Sequence, residues 1–133
     1  MGQKQLLCLA RALLRDNKFL ILDEATSNVD METDYFIQNC IHTKFQNTTV
    51  ITIAHRLNTI ADYDKVIVMS RGKIIEIGSP YQLIQSNGLF AEMVSHTGKN
   101  ADLIKKMAKS SFERKNRLWS LVKLLFHFSC YWQ

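Results

Sequence analysis

Apolar residues along the chain recur at two spacings, and the longer spacing predicts helices. Residues 3–15 have apolar positions three and four apart, which is the period of a helix with one apolar side. Residues 31–45 repeat this period after Asp30, whose side chain suits a helix N-cap. The side of the second helix predicted to be buried carries Phe36, Ile37, Cys40 and Ile41.

Short unbroken apolar runs between the helical segments predict strands. Phe19–Leu22 and Thr49–Ile53 show no alternation of apolar and polar residues, which is typical of strands buried on both faces. Residues 65–69 and 73–77 flank Arg71-Gly72, which predicts an antiparallel hairpin.

The remaining segments predict short helices, and the whole pattern indicates one fold class. Residues 57–62 are predicted to form a short helix or a turn. Ser79-Pro80 is a typical helix start, with serine as the cap, and Gly88 separates that helix from another over residues 89–96. Helices alternating with strands predict an α/β fold with a mostly parallel sheet. Ligands of such sheets bind at the carboxyl ends of the strands.

Charge is concentrated near the end of the chain. The net charge of +5 over 133 residues divides into −1 for residues 1–98, +5 for residues 99–117 and +1 from Lys123. The basic character therefore argues against a body that binds nucleic acid. The three cysteines lack paired spacing, which indicates reduced thiols, and no apolar run is long enough to span a bilayer.

Two acidic residues follow the first predicted strand directly. A strand ending at Asp23 can hold a carboxylate at the sheet edge, where it reaches Mg²⁺ through water. Glu24 can then polarise a water for in-line attack on a terminal phosphate. The alternative from these residues alone is a strand end with two solvated acids.

The residues around this acid pair resemble the ATPase domain of ATP-binding cassette (ABC) transporters. The stretch LILDEATSNVD is followed, behind the next strand, by His55, 31 positions after Glu24. The segment GQKQLLCLARA at the start is similar to the end of the family's signature motif. The segments TIAHRLNTI and GSPYQLIQ are similar to the second nucleotide-binding domain of the multidrug-resistance-associated (C) subfamily. The resemblance covers residues 1–97.

The resemblance implies a role for each matching residue. Asp23 matches the Walker B acid that binds the metal, and Glu24 and His55 match the catalytic glutamate and the histidine that contacts the γ-phosphate. Gly2 and Gln3 match the signature segment, which clamps the ATP of the opposing domain. Ser27 and Asp30 match the ends of the D-loop. All seven positions are therefore expected at one ATP and Mg²⁺ site: Gly2, Gln3, Asp23, Glu24, Ser27, Asp30 and His55.

The resemblance also implies a fold and a cellular role. Residues 1–97 are expected to form the C-terminal half of a nucleotide-binding domain, with a partial three-layer fold of the P-loop NTPase type. In the complete exporter, this domain couples ATP hydrolysis to the transport of organic anions. Its partners are a second nucleotide-binding domain and the transmembrane domains, at the cytosolic face of a membrane. A chromosome-maintenance or repair ATPase would share the Walker B and signature motifs with this chain, but the segments TIAHRL and GSPYQLI are typical of transporters.

No GxxxxGK[ST] segment occurs in these 133 residues. That loop supplies the backbone cradle and the lysine for the phosphates. We therefore expect the isolated chain, which would be cytoplasmic, to bind ATP weakly and to have no hydrolytic activity of its own. The alternative function is a non-catalytic fragment that binds a partner domain or a membrane surface.

Residues 98–133 are predicted to form a separate segment, a basic linker followed by an apolar tail. Residues 98–117 are polar and basic, consistent with a solvated linker or helix, whereas 11 of the 16 residues from 118 to 133 are apolar or aromatic. The polar positions recur in a helical stripe: Glu113, Asn116, Ser120, Lys123 and His127. A helix in a membrane interface (residues 112–133), a helix packed on a partner and a non-native C-terminus all remain open.

Overall fold

The computed structural model of the chain describes residues 2–15, 17–23 and 29–129. In order, the elements are α1 (Gly2–Leu13), β1 (Phe19–Asp23), α2 (Met31–Lys44), β2 (Thr49–Ile53), α3 (Leu57–Ile60), β3 (Val66–Ser70), β4 (Lys73–Gly78), α4 (Pro80–Gln85), α5 (Leu89–Ser95), a 3-10 turn (Gly98–Asn100) and α6 (Ala101–Ser129). The predicted α/β fold is thus confirmed. The strands form two pairs, β1 with β2 and β3 with β4.

The chain divides into two units, which we call unit 1 (Met1–His55) and unit 2 (Arg56–Gln133). Unit 1 is a βαβ arrangement in which β1 and β2 run parallel and α2 connects them. Its buried residues come from both helices and from the segments beside α2: Leu9, Val29, Ile37, Ile41 and Phe45. Leu20, Leu22 and Val50 of the strands pack against this cluster, so the helices cover one face of the pair.

The prediction that the first two strands are buried on both faces is wrong for this chain. Phe19 and Ile21 are 67% and 68% exposed, and Ile51 and Ile53 are about half exposed. These residues alternate with the packed ones, so they line the opposite face of the pair. Phe36 was likewise predicted to be buried with Ile37 but is 56% exposed, because the buried stripe of α2 follows positions 34, 37 and 41.

Unit 2 begins with α3 and a hairpin whose turn follows local rules. β3 and β4 pair antiparallel, and the two turn residues, Arg71 and Gly72, have φ values of 49° and 75°. Positive φ at both positions is the geometry of a type I′ turn, whose twist matches that of the flanking strands. The ladder has an irregularity between Val68 and Met69.

Three further helices build the core of unit 2 against this hairpin. α4 begins with a capping box in which Ser79 and Gln82 bond to each other's backbone N–H groups. The first turns of α6 contribute Ala101, Ile104 and Ala108 to this core. The other buried residues of the cluster come from the elements before α6: Ala61, Val66, Val68, Leu83, Ile84, Phe90 and Val94. The segment predicted as a solvated linker or helix is therefore helical, and one side of this helix packs in the core of unit 2.

Polar contacts fix α6 to the loop after α3. The Ser111 hydroxyl donates to the Asp62 carbonyl at 3.0 Å, and the Lys115 Nζ donates to the same carbonyl at 2.9 Å. Lys115 also lies 2.7 Å from the Asp64 carboxylate. Within the three described ranges, no helix has a stretch long and apolar enough to cross a membrane.

Candidate functional site

The ends of β1 and β2 lie side by side at one edge of the pair in unit 1. Asp23 is the last residue of β1 and is in register with Ile53, the last residue of β2. His55 follows two residues later, and the side chains of Asp23 and His55 are both exposed. Because neighbouring strands are about 4.8 Å apart and these two run parallel, the predicted metal ligand and the predicted phosphate contact belong to the same edge.

Asp30 caps α2 with both of its carboxylate oxygens. The Thr33 amide donates to Oδ1 at 2.9 Å, and the Thr33 hydroxyl donates to Oδ2 at 2.8 Å. The hydrogen bond from the Thr33 amide, and then that from its hydroxyl, hold the pKa of Asp30 below its ordinary value of 3.8. The predicted cap is confirmed, and the predicted role of Asp30 toward a nucleotide remains a prediction.

Replacing Asp30 by asparagine is expected to make the free energy of unfolding decrease less as the pH is lowered. The folded-state pKa is lowered, so the folded chain releases this proton more readily than the unfolded chain. The cap therefore stabilises above the ordinary pKa and is lost as the pH falls through the lower folded value. Asparagine keeps an acceptor for the Thr33 amide without the titrating charge.

Urea unfolding at pH 7 and pH 3 would test this. Asp30→Ala serves as the comparison, since it should be less stable than the parent at pH 7. An Asp30→Asn chain with the parent's full acid dependence would contradict this account.

The other predicted site residues lie at the start of α1 or outside the described residues. Gly2 and Gln3 form part of the first turn of α1, where backbone N–H groups lack partners within the helix. Glu24 and Ser27 lie outside the described residues. The proposed roles of all four therefore remain predictions.

The donor set at this edge suits a magnesium ion that a nucleotide brings with it. The part of the chain that the structure describes contains no group of three or more histidine, cysteine or acidic side chains able to hold a metal. Mg²⁺ commonly takes one or two protein carboxylates and fills its other positions with phosphate oxygens and water. The exposed carboxylate of Asp23 fits that mode and does not provide a metal cage on its own.

A half-buried polar pair on α2 was not predicted from the sequence. Asp34 is only 6% exposed, and Gln38 donates its Nε2 to Asp34 Oδ1 at 3.4 Å. The Gln38 Oε1 is buried and, among the described atoms, has no hydrogen-bond partner. The i, i+4 spacing of the two residues beside Ile37 and Ile41 was the available signal.

Comparisons with known proteins point to one family. The family description "ABC transporter" matches residues 1–27. Human ATP-binding cassette sub-family C member 2 is 60% identical over 97 residues, which cover 73% of this chain and 6% of that protein. This chain belongs to the ABC transporter family. The predicted resemblance to its C subfamily is thereby confirmed.

Two further ABC proteins extend the comparison. The probable multidrug resistance-associated protein lethal(2)03659 of Drosophila melanogaster is 50% identical over 115 residues, covering 84% of this chain and 8% of that protein. That coverage exceeds residues 1–97, so it includes part of the segment 98–133. A solved bacterial Atm1-family ABC exporter with ATP bound matches 74% of this chain and 18% of its own, at 37% identity and a TM-score of 0.68.

The chain thus includes part of a nucleotide-binding domain of the ABC transporter type. It spans 6–8% of the length of these curated relatives. ABC domains of this family bind ATP together with Mg²⁺, and full-length members combine such domains with transmembrane domains.

Proposed function

We propose that this chain contributes the carboxyl ends of β1 and β2 to an ATP site that drives export. One observation carries this proposal: the register of the two strands sets Asp23 beside the last residue of β2. His55 follows that residue by two positions. A terminal phosphate lying along this edge would meet both side chains. The ATP in the related Atm1-family exporter supports the choice of nucleotide.

Each site residue has a separate task in this proposal. Asp23 holds the nucleotide's Mg²⁺, which neutralises charge that develops on the phosphates. Glu24 orients the attacking water, and His55 donates a hydrogen bond to the γ-phosphate. Gly2 and Gln3 offer the N-terminal turn of α1 to the ATP held by an opposing domain. Ser27 and Asp30 are the ends of the D-loop, which would lie between the two domains.

The complete exporter would use this site to move organic anions or xenobiotics across a membrane. The name of the Drosophila relative, a multidrug resistance-associated protein, supports this class of cargo. The partners would be the other nucleotide-binding domain and the transmembrane domains, with the site at the cytosolic face.

Nucleotide titration of the full chain tests the proposed edge. We expect millimolar ATP with Mg²⁺ to shift the ring signals of His55 in an NMR spectrum. His96, on the other unit beside Glu92, provides an internal control whose signals should not move. Asp23→Asn should remove the magnesium dependence of the shift. Equal shifts at both histidines, or a magnesium dependence unchanged in Asp23→Asn, would reject the proposed edge.

Single-turnover hydrolysis tests whether the 133 residues are active alone. Without a GxxxxGK[ST] loop in its sequence, the chain should hydrolyse ATP no faster than the background, and Glu24→Gln should change nothing. Magnesium-dependent hydrolysis that Glu24→Gln abolishes would overturn the expected inactivity and would support the role of Glu24.

A further inference from the structure

Helix α3 begins immediately after the histidine of the proposed ATP site. A single residue, Arg56, separates His55 from Leu57, the first residue of α3. Two residue steps span at most roughly 7 Å, so a displacement of α3 pulls on the backbone of His55. With four residues (Leu57–Ile60), α3 is also too short to be stable by itself in water. Its position therefore depends on the elements that pack against it.

Helix α6 supplies part of the apolar packing of α3. Leu57 and Ile60 lie against the buried cluster of unit 2, to which α6 contributes Ala101, Ile104 and Ala108. These contacts hold one side of the single helical turn. The carbonyl groups at the end of a helix lack partners within it, so the C-terminal end of α3 needs bonds from elsewhere.

Two side chains of α6 bind the chain just after the C-terminal end of α3. The Ser111 hydroxyl donates to the Asp62 carbonyl at 3.0 Å, and Lys115 Nζ donates to the same carbonyl at 2.9 Å. Lys115 Nζ also lies 2.7 Å from the Asp64 carboxylate. A cation near the carbonyl end of a helix is favourable, and the ammonium group has three donors, enough for both contacts. We call these four residues, Asp62, Asp64, Ser111 and Lys115, the Lys115 clasp.

We propose that Lys115 is a positioning residue for His55: through the Lys115 clasp it fixes α3, and α3 in turn restrains the backbone of His55. This inference rests on the proposed function, from which it takes the role of His55 toward a terminal phosphate. A side chain with such a role has to be held within about 0.5 Å of its productive position. α6 thus serves the site through α3, without contacting the nucleotide.

The alternative is that Lys115 stabilises unit 2 and has no effect on His55. Glu76 separates the two possibilities, because its carboxylate also joins two elements of unit 2, β4 and α5, through bonds to backbone amides. Of these two side chains, Lys115 is the one that bonds beside α3. Lys105 is exposed on the same helix, so Lys105→Met serves as the control for the loss of a positive charge.

Hydrogen exchange and NMR of the full chain without nucleotide test the positioning role. Methionine at position 115 has a side chain of similar length that cannot donate a hydrogen bond. The amides of Thr59, Ala61 and Tyr63 donate to backbone carbonyls of this turn. They should exchange about tenfold faster or more in Lys115→Met, because local opening of the turn becomes easier. The ring signals of His55 should shift in the same variant.

The controls respond differently if the clasp acts on His55. Lys115→Arg keeps the charge and the donors, so it should largely restore both the slow exchange and the parent's His55 signals. Lys105→Met should match the parent in both measurements. Glu76→Ala destabilises unit 2 away from α3 and should leave the His55 ring signals unchanged.

A titration with ATP and Mg²⁺ then connects the clasp to the nucleotide. Lys115→Met should need a several-fold higher ATP concentration than the parent to shift the ring signals of His55. Lys105→Met should follow the parent. This step uses the same signals as the nucleotide-free comparison, so the two results can be compared directly.

Each outcome decides the proposal. Faster exchange in α3 together with altered His55 signals in Lys115→Met, but not in the control variants, supports it. Unchanged exchange, faster exchange that leaves His55 unaltered, or an equal change of His55 in Glu76→Ala overturns it. If ATP does not shift His55 in the parent chain, the proposed function fails, and the nucleotide-free comparison still decides whether Lys115 restrains His55.

Discussion

Replacing Ile104 by alanine is expected to destabilise unit 2 by about 2–5 kcal/mol. Ile104 lies in the first half of α6 and is 1% exposed, and it is among the largest fully buried side chains of the residues that the structure describes. Its removal leaves a cavity among neighbours that cannot close it completely, so contacts are lost in addition to the transfer free energy. Urea unfolding followed by circular dichroism would measure the effect.

The neighbouring residue provides a matched control. Leu103 is similar in size to Ile104 and lies in the same helical turn, but it is 53% exposed. Leu103→Ala should therefore cost about 0.5 kcal/mol or less. Equal effects of the two substitutions would mean that α6 does not present this side to the core.

The same pair of variants also tests how the chain divides. The sequence predicts a boundary near residue 97, with a separate basic segment beyond it. Packing of Ala101, Ile104 and Ala108 with Phe90 and Val94 instead makes the start of α6 part of a folded unit. If residues 98–117 behave as a solvated linker, neither Ile104→Ala nor Leu103→Ala should change the unfolding midpoint.

Replacing Glu76 by alanine is expected to cost about 1–3 kcal/mol, because two backbone N–H groups lose their charged acceptor. The Glu76 carboxylate, on β4, accepts hydrogen bonds from the amide of Leu89 at 2.5 Å and from that of Phe90 at 3.0 Å. These amides belong to the first turn of α5, where no partner exists within the helix. The carboxylate therefore ties α5 to the hairpin.

Gly88 allows this contact because it has no side chain. A Cβ at position 88 would collide with the Glu76 carboxylate, although the φ of −87° suits any residue. Gly88→Ala should therefore destabilise the chain by displacing Glu76, and it should cost little when Glu76 is already alanine. The non-additivity in a double-mutant cycle measures the coupling. Additive effects would show that the two residues act independently.

Elements that depend on a few neighbouring residues could be predicted from the sequence. Asp30 caps α2, Ser79 caps α4 with Pro80 in the first turn, and Arg71-Gly72 closes the hairpin, all as predicted. Each of these features needs only a side chain within hydrogen-bond reach of nearby backbone, or a residue that tolerates positive φ. Such features are local, so the order of residues is enough to find them.

Burial was harder to predict because it depends on which elements cover a surface. Phe19 and Ile21 have the composition of a strand buried on both faces, yet the helices of unit 1 cover only the face of Leu20 and Leu22. Phe36 was placed on the wrong side of α2 for a related reason. An apolar pattern records a tendency to be buried, whereas the neighbouring elements decide which positions are covered.

The candidate site combines both kinds of information. The amino-acid sequence by itself determined the order of strand, acid pair, strand and histidine, because runs of β-branched and apolar residues end at polar ones. Only the tertiary structure decided that β1 and β2 pair in register. This pairing places Asp23 beside the last residue of β2, and His55 follows that residue by two positions. It also decided that α6 packs on unit 2 through Ile104 and Ala108. Pairing and packing join residues far apart in the chain, and their free energy depends on the surfaces that meet.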